Sequence, residues 1–528
     1  MVTMSAFEVL GPIMVGPSSS HTAGALRIAL VARSLAPQPL ASVDFTLYNS
    51  FSRTHRGHGT DLALVAGILG LAPDDPHVRD SFHLAHDAGL DFSLTEGGED
   101  DRLHPNTVAI LMRSAQGEDV RVTGESLGGG RVRISSIDGV PVQVTGELPT
   151  VFVAHADKPG VLAALTRELS DRQVNIATMR TFRSEPGGAA YTVFEVDEPV
   201  GGELLARLRR VGHVGFVAMV DVPGASAPTP SREEGVSFST GADLLRLCEG
   251  RKVTIGQLMR EREAALRPSA DASADPDAQM ARVLATMRDE VTDTLTHPRR
   301  SLGGYLDGQA ADVGASAASL AAPLMGETLT RAVAYAMAVL ERSATMGVIV
   351  AAPTAGSAGV VPGAVLAVGG SVDAGDKALQ LALWNAAAIG AILSTNASVA
   401  GAEGGCQAEV GSAAAMAASA LVELLGGTPA QCLDAAGLAI TNLLGLVCDP
   451  VRGMVEVPCQ ARNAIGVSDA VSAAQLALSG VRSPIPFDEV VGAMAEVGHA
   501  LPASLRETAR GGLAATPSAC ASCAGCGL

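Results

Sequence analysis

Residues 149–183 read PTVFVAHADKPGVLAALTRELSDRQVNIATMRTFR. The opening PTVFVAHAD is β-branched and apolar, as a strand requires. KPGVLAALTRELSDRQ then carries leucines at helical spacing behind a proline–glycine start, a common way to open a helix. VNIATMRTFRSE and AAYTVFEVD read as a hairpin, GGELLARLRRVG as a second helix and HVGFVAMVDV as a last strand. The order is βαββαβ over residues 148–224, and it divides everything around it.

On the N-terminal side, residues 1–147 mix strand-like alternation (SVDFTLYNS, RVRISSI) with the apolar helical run ALRIALVARSLA, an α/β (α+β) domain. On the other side, 225–240 form a linker rich in Ser, Pro and Gly. From 241 to 528 the pattern is helical, broken by glycine loops and by the polar stretch SADASADPDAQ. The expected fold is therefore multidomain: α/β, then βαββαβ, then an all-α C-terminal catalytic domain. At 528 residues the chain is too long for one hydrophobic core.

Apolar residues make up 47% and aromatics only 3%, so the expected cores are closely packed helices with small side chains. A net charge of −18 without a Lys/Arg cluster argues against nucleic acid as a partner. The first residues show no signal-peptide pattern. Two uncharged apolar stretches, 345–372 and the one after Lys377, are long enough to span a bilayer. Their Ala, Gly, Ser, Thr and Asn content favours buried helices over membrane insertion. The expectation is a soluble cytoplasmic protein without a membrane partner.

No cysteine precedes Cys248, and seven of the eight lie beyond residue 400. Such clustering fits thiolates used for a metal in a reducing compartment better than a disulfide framework. Cys406 (EGGCQAEVG), Cys448 (GLVCDPVRG) and Cys459 (EVPCQARNA) each stand beside a glycine or proline loop, whereas Cys432 occupies an apolar helical position. Brought together, the three loop cysteines could hold a tetrahedral zinc or a [4Fe–4S] cluster with one open iron. An open iron can act as a Lewis acid that makes hydroxide a tolerable leaving group without a redox step.

In GPSSSHTAG, Ser18, Ser19 and Ser20 run into a helix expected near Ala23. They are substrate-binding candidates: they can cap that helix, while its first amides form an anion site suited to a carboxylate. His21, next to them, and His58, between glycines in RGHGTD, are general acid or base candidates. Asn106 in HPNT is a substrate-binding candidate and His104 a weaker one. Thr354, Gly356 and Ser357 in PTAGSAG either bracket a metal or a carboxylate or simply make a tight turn. The only three lysines, Lys158, Lys252 and Lys377, stand in no recognisable cofactor loop, which argues against pyridoxal phosphate (PLP).

Two resemblances follow. Asp157, Lys158, Pro159, Gly160, Val161, Asn175, Ile176 and Met179 resemble the ACT domain, which usually pairs its sheets and holds a small effector, often an amino acid. The resemblance implies an effector site at Asp157, Pro159, Gly160, Val161 and Asn175, and a homodimer.

GPSSSHTAG, RGHGTD, HPNT, PTAGSAGVVPG, NASVAGAEGGCQAEVGSA, CDPVRGMVEVPC and GGLAATP, in that order, resemble the iron–sulfur-dependent L-serine dehydratases in their fused β–ACT–α form. That implies conversion of L-serine to pyruvate and ammonia, with Cys406, Cys448 and Cys459 as ligands of a [4Fe–4S] cluster. It also implies a C-terminal cysteine as a removable fourth ligand. Here the tail departs from a single terminal cysteine, carrying Cys520, Cys523 and Cys526. Cys526 is the natural candidate by position, with Cys523 close behind and a local three-cysteine metal site as a third option. A related lyase acting on threonine or cysteine, and a non-catalytic amino-acid or redox sensor, are the competing readings.

Overall fold

The computed structural model describes residues 4–128, 130–220, 222, 235–266, 275–319 and 324–524. The linker expected over 225–240 is thus described only from Gly235 onward. Residues fall into two compact units. One gathers the described parts of 1–19, 56–58 and 228–528, and the other those of 20–55 and 59–227.

The second unit holds two sheets. The larger has six strands in the order Asp91–Glu96, Leu40–Tyr48, Asn106–Ser114, Asp119–Gly128, Arg131–Ile137 and Val140–Val144. Its first pair is parallel and the others antiparallel. Alternation does what the sequence suggests: Val43, Phe45 and Leu47 are buried opposite Val108, Ile110 and Met112. Helices Gly24–Ser34 and Thr60–Leu69 pack together so closely that a Cβ on Gly67 would lie 2.5 Å from the Leu26 carbonyl oxygen.

The smaller sheet is the βαββαβ region. Its strands run Val214–Val220, Thr150–Ala156, Ala189–Val196, Ile176–Arg183, all antiparallel. Helices Val161–Ser170 and Gly202–Arg209 bury Leu165, Leu169, Leu204 and Leu208 against Val151, Val153, Phe194 and Val217. On the opposite face Phe152 stacks on Tyr191 with ring centroids 5.4 Å apart, and the Tyr191 hydroxyl donates to Asp138.

The first unit is helical. Asp376–Asn396 runs through its core, with Trp384 buried and Phe7 packed edge-on at 5.5 Å. By length and composition this helix alone among the described residues could cross a membrane, yet 72% of its apolar window is buried against other helices. Alanine and glycine set the spacing: a Cβ on Gly359 would come within 2.1 Å of the Ala336 carbonyl. Among its described residues, the region departs from an all-α expectation at one strand. Val348–Val350 forms a short strand antiparallel to Ile13–Val15, because the buried Glu290 carboxylate and the N-terminal strand satisfy its backbone where no helix could.

Candidate active site

Three loops of the helical unit carry the cysteines. Cys406 follows Gly405, whose φ of 75° is left-handed and whose missing Cβ leaves room for the Leu446 carbonyl. It stands at the N-terminus of a π-helical turn, Gln407–Gly411, that runs on into the helix Ser412–Leu424. Gln407 ties this turn to the next loop. Its backbone N–H donates to Leu446 O (2.9 Å), its Oε1 accepts from Gly445 N (2.9 Å) and its Nε2 donates to Met494 O (3.0 Å). Cys448 lies in that loop, where its N–H donates to Leu505 O and its carbonyl accepts from Glu507 N, both at 2.8 Å. Cys459 opens the helix Cys459–Leu478. All three are buried, with 3%, 3% and 7% of their surface exposed.

The sulfurs of Cys406 and Cys448 and one carboxylate oxygen of Glu409 all lie within 4.8 Å of one another. Thr354 Oγ1 donates to Glu409 Oε1 at 2.8 Å. Two glycines leave space for this carboxylate: a Cβ on Gly356 would be 2.9 Å from Oε1, and one on Gly401 would be 2.6 Å from Oε2 and 3.3 Å from Cys448 Sγ. Arg462 reaches the cluster from the Cys459 helix. It donates to Cys406 Sγ (3.4 Å) and Val447 O (2.7 Å) and pairs with Asp449 at 2.7 Å. Asp449 Oδ2 in turn accepts from Leu513 N at 2.7 Å, which fastens the segment beginning at residue 511 to the cysteine loop.

Charge and burial act together here. A hydrogen bond with Cys406, followed by burial, pushes the Cys448 thiol well above its usual range. Burial, then negative charge at Cys406 and Glu409, does the same to Cys459. Burial also raises Glu409, and burial with the Glu409 charge lifts Glu507 to about 8. A nitrogen of His58 and a carboxylate oxygen of Glu507 lie within 4.8 Å of each other. Gly57, beside His58, packs against Met454, whose Cγ would be 2.8 Å from an added Cβ. A metal arriving at these sulfurs would have to displace thiol protons.

Of the PTAGSAG candidates, Thr354 faces the cluster through Glu409, while Ser357 Oγ turns inward to Thr354 Oγ1 (3.1 Å) and Ala352 O (3.3 Å). Asn463 locks this loop to the Cys459 helix, donating to Gly356 O at 2.8 Å and accepting from Gly359 N at 3.1 Å.

The second unit carries its own polar network. The ring of His21 sits between two hydroxyls, Ser20 Oγ on Nδ1 (2.9 Å) and Ser50 Oγ on Nε2 (2.8 Å), and edge-on to Phe51. Ser126 Oγ donates to Ser20 O at 2.7 Å and Asn106 Nδ2 to Ser126 O at 3.4 Å, so Asn106 belongs to the same network. His104 Nδ1 accepts from Asn106 N. Ser19 and Ser20 lie within a turn before the helix rather than at its N-cap. Ser19–Ala23 form a π-helical turn that continues into Gly24–Ser34, whose N-cap position is Ala23, itself helical and without a side-chain cap. Ser18 is buried and Ser19 half-buried.

In the βαββαβ region Asp157 accepts from Arg183 Nη1 and Gly187 N, both at 3.0 Å, and Gly160 has φ 92°. Asn175 lies beyond the far end of the ten-residue helix Val161–Ser170, about 15 Å along. The structure does not bring it to Asp157, Pro159, Gly160 and Val161 within one chain. Asn175 Nδ2 instead donates to Asp197 at 2.8 Å, beside a cavity of about 520 Å³ lined by Arg172, Val200, Glu203 and Leu204. Cys526 lies outside the described residues; Cys520, on the helix Pro517–Ala524, is exposed.

Glu409, Arg462, Asp449, Asn463, Glu507 and Ser50 were not singled out from sequence. Glu409 is three residues after Cys406, and Arg462 and Asn463 are three and four after Cys459. Those are the spacings that share a helix face, a signal open to reading. Family models match in three successive parts: serine dehydratase beta chain over residues 5–98, ACT domain over 150–213, and serine dehydratase alpha chain over 250–514. A probable L-serine dehydratase alpha chain of Bacillus subtilis is 53% identical over 37% of this chain and 65% of its own length. The L-serine dehydratase beta chain of Peptoniphilus asaccharolyticus is 40% identical over 42% of this chain and 100% of its own. An L-serine dehydratase of Streptomyces coelicolor is 32% identical over 97% of this chain and 99% of its own. With beta, ACT and alpha parts in one polypeptide, the chain belongs to the L-serine dehydratase family in its fused single-chain form.

Proposed function

We propose that this protein is an L-serine ammonia-lyase that converts L-serine to pyruvate and ammonia with a [4Fe–4S] cluster held by Cys406, Cys448 and Cys459. The observation that carries the reading is the set of three buried cysteines on three separate loops, in a chain alignable almost end to end with relatives named L-serine dehydratase. The residues fit such a group: Gly401 leaves the space beside Cys448 Sγ free of a side chain, and Arg462 offers a compensating charge to Cys406. When bound, the cluster supplies Lewis acidity for departure of the β-hydroxide. All three lysines are exposed, which suits a reaction without a PLP Schiff base.

The chain's own residues then have these parts. His21 and His58 serve as acid and base: one takes the α-proton and the other delivers a proton to the leaving hydroxyl. The hydroxyls on both nitrogens of His21 can donate or accept, so either tautomer is supported. Ser18, Ser19, Ser20, Asn106, Thr354, Gly356 and Ser357 bind the substrate's polar groups. Loss of water leaves 2-aminoacrylate, which tautomerises to an imine and takes water back to give pyruvate and ammonia. Cys526 is kept as a fourth ligand.

In this reading residues 1–147, 148–224 and 241–528 are the functional divisions, joined by the linker 225–240, and 148–224 bind an amino-acid effector through Asp157, Pro159, Gly160 and Val161. The protein is a cytoplasmic homodimer. Anaerobic reconstitution with iron and sulfide followed by a pyruvate assay tests the core claim. Wild type should turn over L-serine in preference to L-threonine, and Cys406→Ala should lose both visible cluster absorption and pyruvate formation. Unchanged turnover in that variant would overturn the proposal.

A further inference from the structure

We infer that Glu456 is a positioning residue for His58, acting through the loop 301–306 and the side chain of Met454. The inference rests on the reading of His58 as a proton-transfer group, and all of these residues lie in the same compact unit.

A buried carboxylate holds the loop. Glu456, 2% exposed, accepts from Ser301 Oγ at 2.7 Å, Gly303 N at 2.6 Å and Tyr305 N at 3.1 Å. The loop also closes on itself, with Ser301 N donating to Leu306 O at 2.9 Å. Donors gathered on one buried carboxylate fix the backbone that carries them, because a shift would strand N–H groups without acceptors. Gly303 is thereby held against Met454. A Cβ there would stand 2.2 Å from Met454 Sδ, and 2.8 and 2.9 Å from the two Glu456 oxygens.

Met454 is buried as well, and it also meets the backbone beside His58. A Cβ on Gly57 would lie 2.8 Å from Met454 Cγ and 3.5 Å from its Cε. Two glycines from distant parts of the chain thus make room for one thioether. Methionine is ordinarily the adaptable filler of a core, but here its path is set by backbone on two elements. Packed interiors pass displacement on to their neighbours, so a shift of Met454 reaches Gly57 and with it the buried ring of His58. A reacting group misplaced by about 1 Å can lose on the order of 100-fold in rate. Glu456 acts at one remove, so its effect falls on turnover and not on substrate affinity.

The test uses the full-length protein, loaded anaerobically with iron and sulfide. Gly303→Ala should displace Met454 and lower kcat roughly tenfold or more, with KM for L-serine and cluster absorption per chain within about twofold of wild type. Met454→Ala removes the atoms that the new methyl meets. Adding Gly303→Ala to Met454→Ala should therefore cost less than about threefold further. Glu456→Gln, of the same shape but unable to accept from every donor, should lose kcat as Gly303→Ala does; it carries the test should Gly303→Ala not fold. Carbon-13 NMR of the histidine rings, with the His58 signal assigned through His58→Asn, gives a readout apart from turnover. That signal should move in Gly303→Ala, and adding Gly303→Ala to Met454→Ala should leave it in place. A kcat loss that Met454→Ala does not relieve, a loss matched by lost cluster, or an unmoved His58 signal overturns the inference. If wild type forms no pyruvate while the His58 signal behaves as stated, the lyase reading fails and the positioning of His58 stands.

Discussion

The helical unit buries two clusters of the same composition, cysteines with a glutamate, and they are built for different ends. In one, Glu423 is saturated: it accepts from Thr254 Oγ1 (2.6 Å), Gly256 N (3.0 Å) and Asn385 Nδ2 (2.7 Å). Cys432 and Cys248 lie beside it, and burial followed by the Glu423 charge pushes both thiols up, Cys248 to about 12. In the other, Glu409 takes one strong hydrogen bond, from Thr354, and its second oxygen faces Cys448. An arginine touches Cys406, and glycines 356 and 401 stand where side chains would otherwise close the space. The same residue types make a structural staple when every acceptor is filled, and a ligand set when acceptors and space remain.

The largest contrast should come from the cysteines. Cys406→Ala is expected to lower pyruvate formation by more than the roughly 100-fold that loss of an outer-shell partner costs a metal site. Cys432→Ala should keep turnover and lose about 1–2 kcal/mol of stability through its small cavity. Equal activity in the two variants, assayed anaerobically with unfolding followed in parallel, would erase the distinction. The glycines come next. Gly401→Ala should cut bound metal roughly tenfold, by the logic of a displaced ligand, as plasma emission on purified protein would read. Gly437, on the Cys432 helix, has nothing nearer than 3.9 Å to an added Cβ, so Gly437→Ala should leave metal content unchanged and raise stability by about 0.5–1 kcal/mol.

For the glutamates, Glu423→Gln should cost about 1–3 kcal/mol in denaturant unfolding, because an amide cannot accept from all the donors that point at the carboxylate. Glu409→Gln in metal-free protein should cost clearly less, and the reverse order would refute the saturated-versus-open distinction. Asp469 gives a control without sulfur. It accepts from Asn442 at 2.7 Å, and burial raises its pKa from 3.8 to about 6. The folded protein therefore binds more protons than the unfolded chain between those values. Stability should fall as pH rises from about 4 to 6, by about 1–2 kcal/mol once partial exposure is discounted. Asp469→Asn should flatten that slope in thermal melts across the same range.

Much of this architecture could be read from local pattern. The βαββαβ unit rests on alternation at Val151, Val153, Phe194 and Val196 and on helical spacing at Leu165 and Leu169, all within one short window. Strand Leu40–Tyr48 was equally plain. What stayed hidden is non-local. Thr354 meets Glu409 across 55 residues, Arg462 meets Cys406 across 56, and Asn463 meets Gly356 across 107. The strand Val348–Val350 needs Ile13–Val15 to exist at all, and its three residues carry no period of their own. Ser19 and Ser20 of GPSSSHTAG show the same dependence on what surrounds them. A serine before a helix is a cap only if the chain is extended there, and here the backbone is already turning.

By itself, the sequence determined the order of the parts, the faces of their helices and strands, and which loops carry sulfur, hydroxyl and imidazole. Periodicity and glycine placement are properties of neighbouring residues, and the backbone obeys them locally. The tertiary structure alone decided which carboxylate stands beside which sulfur, and whether a buried acceptor is filled or left open. Those properties depend on burial and on distances between residues far apart in the chain, and neither is set until the helices have packed.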